Sequence, residues 1–154
     1  MYESLLVEAE QAGIEVIEKR FKSNAKGLCK GNRIGISKRI KTTAERSCVL
    51  AEELGHYHTT IGNILDQTDV RNRKQERRAR EWGYKRLIPL DRIIDAYLAR
   101  AQGRHEIAEF LGVTERFLQS ALDRLQERYG VATYHNDYLI TFDPLQVFEP
   151  YSDS

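Results

Sequence analysis

The sequence predicts an α+β protein, mostly helical, with a small N-terminal hairpin sheet and a C-terminal helix–turn–helix and hairpin. Three observations predict this class. Apolar residues recur at helical spacing through stretches almost free of Gly and Pro. Gly31-Asn32 sits between two alternating runs, and Asn136-Asp137 between two more, each the signature of a tight hairpin. With 154 residues, one hydrophobic core of moderate size is expected rather than two independent domains.

The elements follow in order. Leu5, Leu6 and Ala9 lie at helical spacing among Glu3, Glu8 and Glu10, and Gly13 closes this first short helix. Ile14, Val16 and Ile17, then GLCKGNRIGIS, predict two or three strands through residue 37. Thr42 with Glu45 three residues on is a capping-box pattern that opens a helix over residues 43 to 58. Residues 59 to 72, with Gly62, Asn63, Asp66 and Asp69, predict a loop into a second long helix, 72 to 87, ended by Pro89. Leu90, Ile93, Ile94, Tyr97 and Leu98 form the stripe of a further helix that stops at Gly103. Then comes helix, a turn at Gly112, a helix capped by Thr114 and ended by Gly130, and a hairpin, together a winged-helix-like arrangement. The expected parts are a core over 1–89, the helix–turn–helix and hairpin part packed on it over 90–143, and a tail over 144–154.

Composition excludes several classes. Lys plus Arg number 24 against 23 Asp plus Glu, a net charge of +1, which excludes a uniformly basic coat for nucleic acid. With 41% hydrophobic and 31% charged residues, the chain is neither disordered nor membrane-spanning in character, and a soluble, cytoplasmic protein is expected. No apolar run approaches a spanning length, and the acids in MYESLLVEAEQAG exclude a signal peptide. Cys29 and Cys48 lie in apolar segments and read as reduced core thiols.

The chemistry concentrates at Glu52-Glu53-Leu54-Gly55-His56. Positions i and i+4 share a helix face, so Glu52 and His56 point the same way, with Glu53 about a third of a turn round. This is the His-Glu-x-x-His metallopeptidase geometry with glutamate in place of the first histidine: two ligands one turn apart, and a carboxylate between them to take a proton from water. Cys48, Val49, Leu50 and Ala51 make this helix apolar nearly all round, so it is buried, and adjacent buried carboxylates are costly without a cation or donors. Glu76, on the next helix, supplies a third ligand if the stripe of Ala79, Trp82 and residues 84–87 marks the packed side. A His-Glu-x-x-His helix with a glutamate ligand on the following helix is the zinc-site plan of thermolysin-like peptidases.

VLAEELGHY followed by RKQERRAREWGYKRLIPL resembles the ImmA/IrrE family of metallopeptidases, in the form found in prophages and mobile elements of Gram-positive bacteria. The resemblance runs from about residue 1 to residue 130. The family's third-ligand helix, E-x-x-A-x-x-aromatic-A ending at a proline, falls on Glu76, Ala79, Trp82 and Pro89, with Gly83 where alanine is usual. The resemblance implies a zincin-like, gluzincin-like core and an endopeptidase that cleaves or inactivates a helix–turn–helix repressor of the element. It places Glu52, His56 and Glu76 as metal ligands and Glu53 as the catalytic general base. One divalent metal is implied, with zinc first and manganese or iron tolerated by the oxygen-rich set, whose two carboxylates cancel the ion's charge. Tyr57, His58 and His105 are candidates for stabilising the oxyanion because they can donate hydrogen bonds.

Residues 71 to 86 carry eight basic side chains against two acidic ones, a docking face for an acidic partner or a solvated helix surface. A DNA reader would carry its positive charge on the second helix of the helix–turn–helix. There Glu115, Arg116, Asp123, Arg124, Glu127 and Arg128 sum to zero, so a protein partner is expected rather than DNA. The alternative is a non-catalytic regulator that binds the repressor or DNA through the helix–turn–helix and the basic helix. A thiol enzyme built on Cys48 is disfavoured by its apolar setting, which raises a thiol's pKa.

Overall fold

Helix α1 (Tyr2–Gln11) buries Leu5 and Ala9 and ends in a Schellman turn. Gly13 takes φ +75°, its N–H bonds to the Glu10 carbonyl, and the Ile14 N–H reaches back to Ala9 at 2.8 Å. Burial, followed by the neighbouring Glu18 carboxylate, pushes the Tyr2 phenol up to about 12, so it remains a donor to Glu18.

Strands β1 (Glu15–Lys19), β2 (Gly27–Lys30) and β3 (Arg33–Ser37) form a sheet in the order β1-β3-β2. The expected hairpin is β2–β3, with Lys30 opposite Arg33 across Gly31-Asn32. Strand β1 adds beside β3 in parallel, Val16 opposite Ile34. Alternation put Ile34 and Ile36 on one face, and both are fully buried.

Helix α2 (Thr43–Thr59) starts where the Thr42 hydroxyl accepts from the Glu45 N–H at 3.1 Å, while the Glu45 carboxylate meets Lys26 at 2.6 Å. It runs straight through Gly55, and helix α3 (Arg73–Leu87) packs along it. The structure, a computed structural model, describes residues 1–60 and 73–150 of the chain, so most of the loop expected over 59–72 lies outside the described residues. Both cysteines are thiols, Cys48 buried and Cys29 half-buried.

The chain divides between Leu87 and Ile88 into two compact units. In the second, α4 (Leu90–Leu98) buries Ile93, Ile94 and Ala96. It ends at Leu98 rather than at Gly103, which instead opens α5 (Gly103–Leu111). Gly112 turns the chain at φ +73°, and Thr114 caps α6 (Glu115–Tyr129) by accepting from the Phe117 N–H. Strands β4 (Ala132–His135) and β5 (Tyr138–Phe142) pair across Asn136-Asp137, both at positive φ. Leu145–Phe148, expected in the tail, form β6 on the other side of β5, because Val147 and Leu145 continue the alternation opposite Ile140 and Phe142. The architecture is α+β.

Helices α2 and α3 approach each other closely at two glycines. A Cβ at Gly55 would stand 3.0 Å from the Ala79 Cα and nearer still to the Ala79 carbonyl. One turn away, a Cβ at Gly83 would lie 3.6 Å from the Ala51 backbone, ordinary contact that an alanine would also make. The seam therefore does not require glycine at position 83. Gly55 is different, because any side chain must push the two helices apart. Gly55→Ala is expected to destabilise the protein by about 1–3 kcal/mol, as overpacked cores do, and to lower its thermal midpoint. Gly83→Ala should instead raise that midpoint slightly, since alanine is favoured over glycine inside a helix by about 0.5–1 kcal/mol; a calorimetric scan of both variants checks the pair.

Candidate metal centre

The small-residue seam decides what stands opposite what. Gly55 lies against Ala79, and Ala51 against Gly83, so stepping one turn back along α2 moves one turn forward along α3 and the helices are antiparallel. On the flank of this seam the same step pairs His56 with Glu76 and Glu52 with Arg80. The His56 Nε2 stands 3.4 Å from Glu76 Oε2, and Glu52 Oε1 is 3.5 Å from the Arg80 Nε.

Glu52, His56 and Glu76, the three residues expected to meet, each offer one donor atom within 4.8 Å of the others. His56 is buried, 3% exposed, while Glu52 and Glu76 are half-buried. The packed stripe of α3 differs from the expected one: Ala79, Gly83 and Leu87 are buried, and Trp82 sits at the flank. Glu76 nevertheless faces α2, one turn before Ala79 and Arg80.

Glu53 is 5% exposed and its Oε1 lies 4.0 Å from the His56 Nε2, which puts a buried carboxylate beside the group. What covers Glu53 is strand β2. A Cβ at Gly27 would lie 2.9 Å from the Glu53 Cγ and 2.7 Å from Val49 Cγ1, so only glycine lets the strand lie this close to α2. Gly27 is the residue that reading the sequence missed, and Arg80, expected only as part of the basic face, meets Glu52. A glycine inside a strand pattern marks a close backbone approach, and that was the one available signal for Gly27.

The oxyanion candidates separate. His58 stacks on Trp82, ring centroids 4.9 Å apart and planes 22° from parallel, and Tyr57 meets the His58 ring edge-on. His105 belongs to the second unit, where its Nδ1 is 3.5 Å from Glu115. Cys48, one turn before Glu52, is a core residue at 8% exposure.

Residues 9–132 match the family model described as Peptidase_M78, the IrrE N-terminal-like domain. The chain belongs to the IrrE N-terminal-like family. That is a metallopeptidase family, in agreement with a cluster of one imidazole and two carboxylates on adjacent helices. No curated protein and no solved structure gave a match to this chain.

The donor set suits a divalent ion of the family's kind. A tetrahedral zinc ion with bonds of about 2.0–2.2 Å separates its donor atoms by about 3.4 Å. The His56–Glu76 pair already has that spacing at 3.4 Å, and Glu52 offers an oxygen within 4.8 Å of both. Nitrogen with carboxylate oxygen is compatible with zinc, manganese and iron.

Trp82 is the only tryptophan, so its fluorescence reports on this seam alone. Removing the stack with His58→Ala is expected to cost about 0.5–1.5 kcal/mol and to alter the emission spectrum of the folded protein. A denaturant titration followed by fluorescence measures both.

Proposed function

We propose that the chain is a metal-dependent endopeptidase that cleaves or inactivates a helix–turn–helix repressor of a prophage or mobile element. The observation that carries the reading is the convergence of Glu52, His56 and Glu76 within 4.8 Å, beside a Glu53 that is 5% exposed. An acidic pair in that setting is expensive unless a cation or hydrogen-bond donors compensate it, and membership of a metallopeptidase family favours the cation. A divalent ion held by Glu52, His56 and Glu76 supplies a Lewis acid that polarises the scissile carbonyl and acidifies water. Zinc is the first choice, and the two carboxylates suit manganese or iron as well.

The chain's own groups do the rest. Glu53, excluded from bulk water, takes the proton from the attacking water and delivers it to the leaving amine. Strand β2 is an edge of its sheet among the described residues. The Lys26 carbonyl accepts from Ser37 across the ladder, so by alternation the Gly27 amide and carbonyl point away from β3. An extended substrate segment can add there as a strand, beside Glu53.

The repressor as substrate rests on the family resemblance, and it implies a cytoplasmic site of action. Among the described residues no helix is long and apolar enough to cross a membrane. We read α5, α6 and the strands after them as a winged-helix-like protein-docking part rather than a DNA reader. Glu115 on α6 meets Arg104 and His105, and Arg124 meets Glu127, so the helix offers phosphates little net charge. Arg77 and Arg78, exposed on α3, suit an acidic stretch of the partner.

Glu53→Gln should reduce cleavage of the co-resident repressor by about 10²–10⁴-fold while leaving fold and metal content unchanged. Glu76→Gln should lose the metal, with about one ion per wild-type chain by elemental analysis. Full repressor inactivation by Glu53→Gln protein would replace the peptidase with a binding regulator.

A further inference from the structure

In the His-Glu-x-x-His arrangement the first ligand is a neutral histidine, and one carboxylate with two histidines leaves a divalent site at +1. Here Glu52 stands at that place, and the ion with two carboxylates sums to zero. Arg80 supplies a fixed positive charge at the odd residue. Its Nε lies 3.5 Å from Glu52 Oε1, one helical turn along α3 from Glu76. The antiparallel seam that brings His56 to Glu76 brings Glu52 to Arg80 by the same one-turn step, so the contact is set by the helix crossing rather than by a chance side-chain excursion. Counting Arg80, the group returns to +1.

We infer that Arg80 is the charge partner of Glu52, a positioning residue that offsets the carboxylate standing in a histidine's place and thereby sets the site's affinity for its metal. The inference rests on the metal-site reading above. A guanidinium on one face of the Glu52 carboxylate leaves its other oxygen for an ion and draws electron density from it. It also repels a divalent cation a few ångströms away, so the site binds metal more weakly but keeps the ion more electrophilic. The pair itself adds little to stability, since Arg80 and Glu52 are 57% and 37% exposed and such pairs contribute about 0–1 kcal/mol, so its effect is read in metal binding.

The test is zinc binding by metal-stripped protein, measured in competition with a chromophoric chelator. Arg80→Gln should tighten zinc binding by about tenfold, the scale of outer-sphere effects on metal sites. Arg80→Lys, which keeps the charge, should stay within about threefold of wild type, and Arg77→Gln, which removes a cation elsewhere on α3, should do the same. A purely structural role for Arg80 predicts the opposite sign, weaker binding as the helices loosen. Unchanged or weakened zinc binding in Arg80→Gln, with wild type binding one ion, overturns the inference and leaves the metal site standing. Absence of zinc binding in wild type and all variants overturns the metal site and the inference together.

Discussion

The contact on which the rest depends is the near-touching of two helix backbones at Gly55 and Ala79. Helices usually keep their axes about 8–10 Å apart because side chains fill the gap. Here a missing Cβ at Gly55 lets the Ala79 carbonyl occupy the space, and Ala51 and Gly83 continue the approach one turn on. Short polar side chains on the flank can then meet across the seam. A glutamate and a histidine reach only a few ångströms from their backbones, so His56 and Glu76 would not come to 3.4 Å across a seam lined with leucine. A second close approach, Gly27 on Glu53, lays a strand over the same helix from another side. Two glycines therefore define the site's geometry, although neither bears any chemistry.

Electrostatics explains why the site is costly and how the cost is met. Glu53 and His56 are almost wholly removed from water, and Glu52 and Glu76 lie close by. Desolvated like charges repel, so such a cluster persists only beside compensating positive charge. Arg80 contributes part of it from α3. The basic surface of that helix thus has two faces with different work: Arg80 turned towards Glu52, and Arg77 and Arg78 turned to solvent. The chain's near-zero net charge averages over this arrangement and conceals it.

Local rules made much of the fold legible. The Thr42 cap, the Gly31-Asn32 hairpin, the Gly13 stop and the Thr114 cap each depend on residues within four positions of one another, and each forms. Glu52 and His56 were legible for the same reason, since their relation is one helical turn. Glu76 was legible through a pattern on its helix, although the packed stripe there runs through Gly83 rather than Trp82. What was not legible involves partners far apart in sequence: β1 parallel to β3 and β6 added to β5. Short alternating runs do not specify which neighbour they will pair with, and the charged residue opposite Glu52 depends on helix register.

By itself the sequence determined the donor types, their order and the helices that carry them, because turn-length spacing and capping are properties of the local chain. Only the tertiary structure decided that Glu53 is buried, that a strand lies over it at Gly27, and that Arg80 meets Glu52 across the seam. The physical reason is that these are distances between backbones, set by where a Cβ is missing, and a one-dimensional pattern shows that a glycine is present without showing what fills the space it leaves.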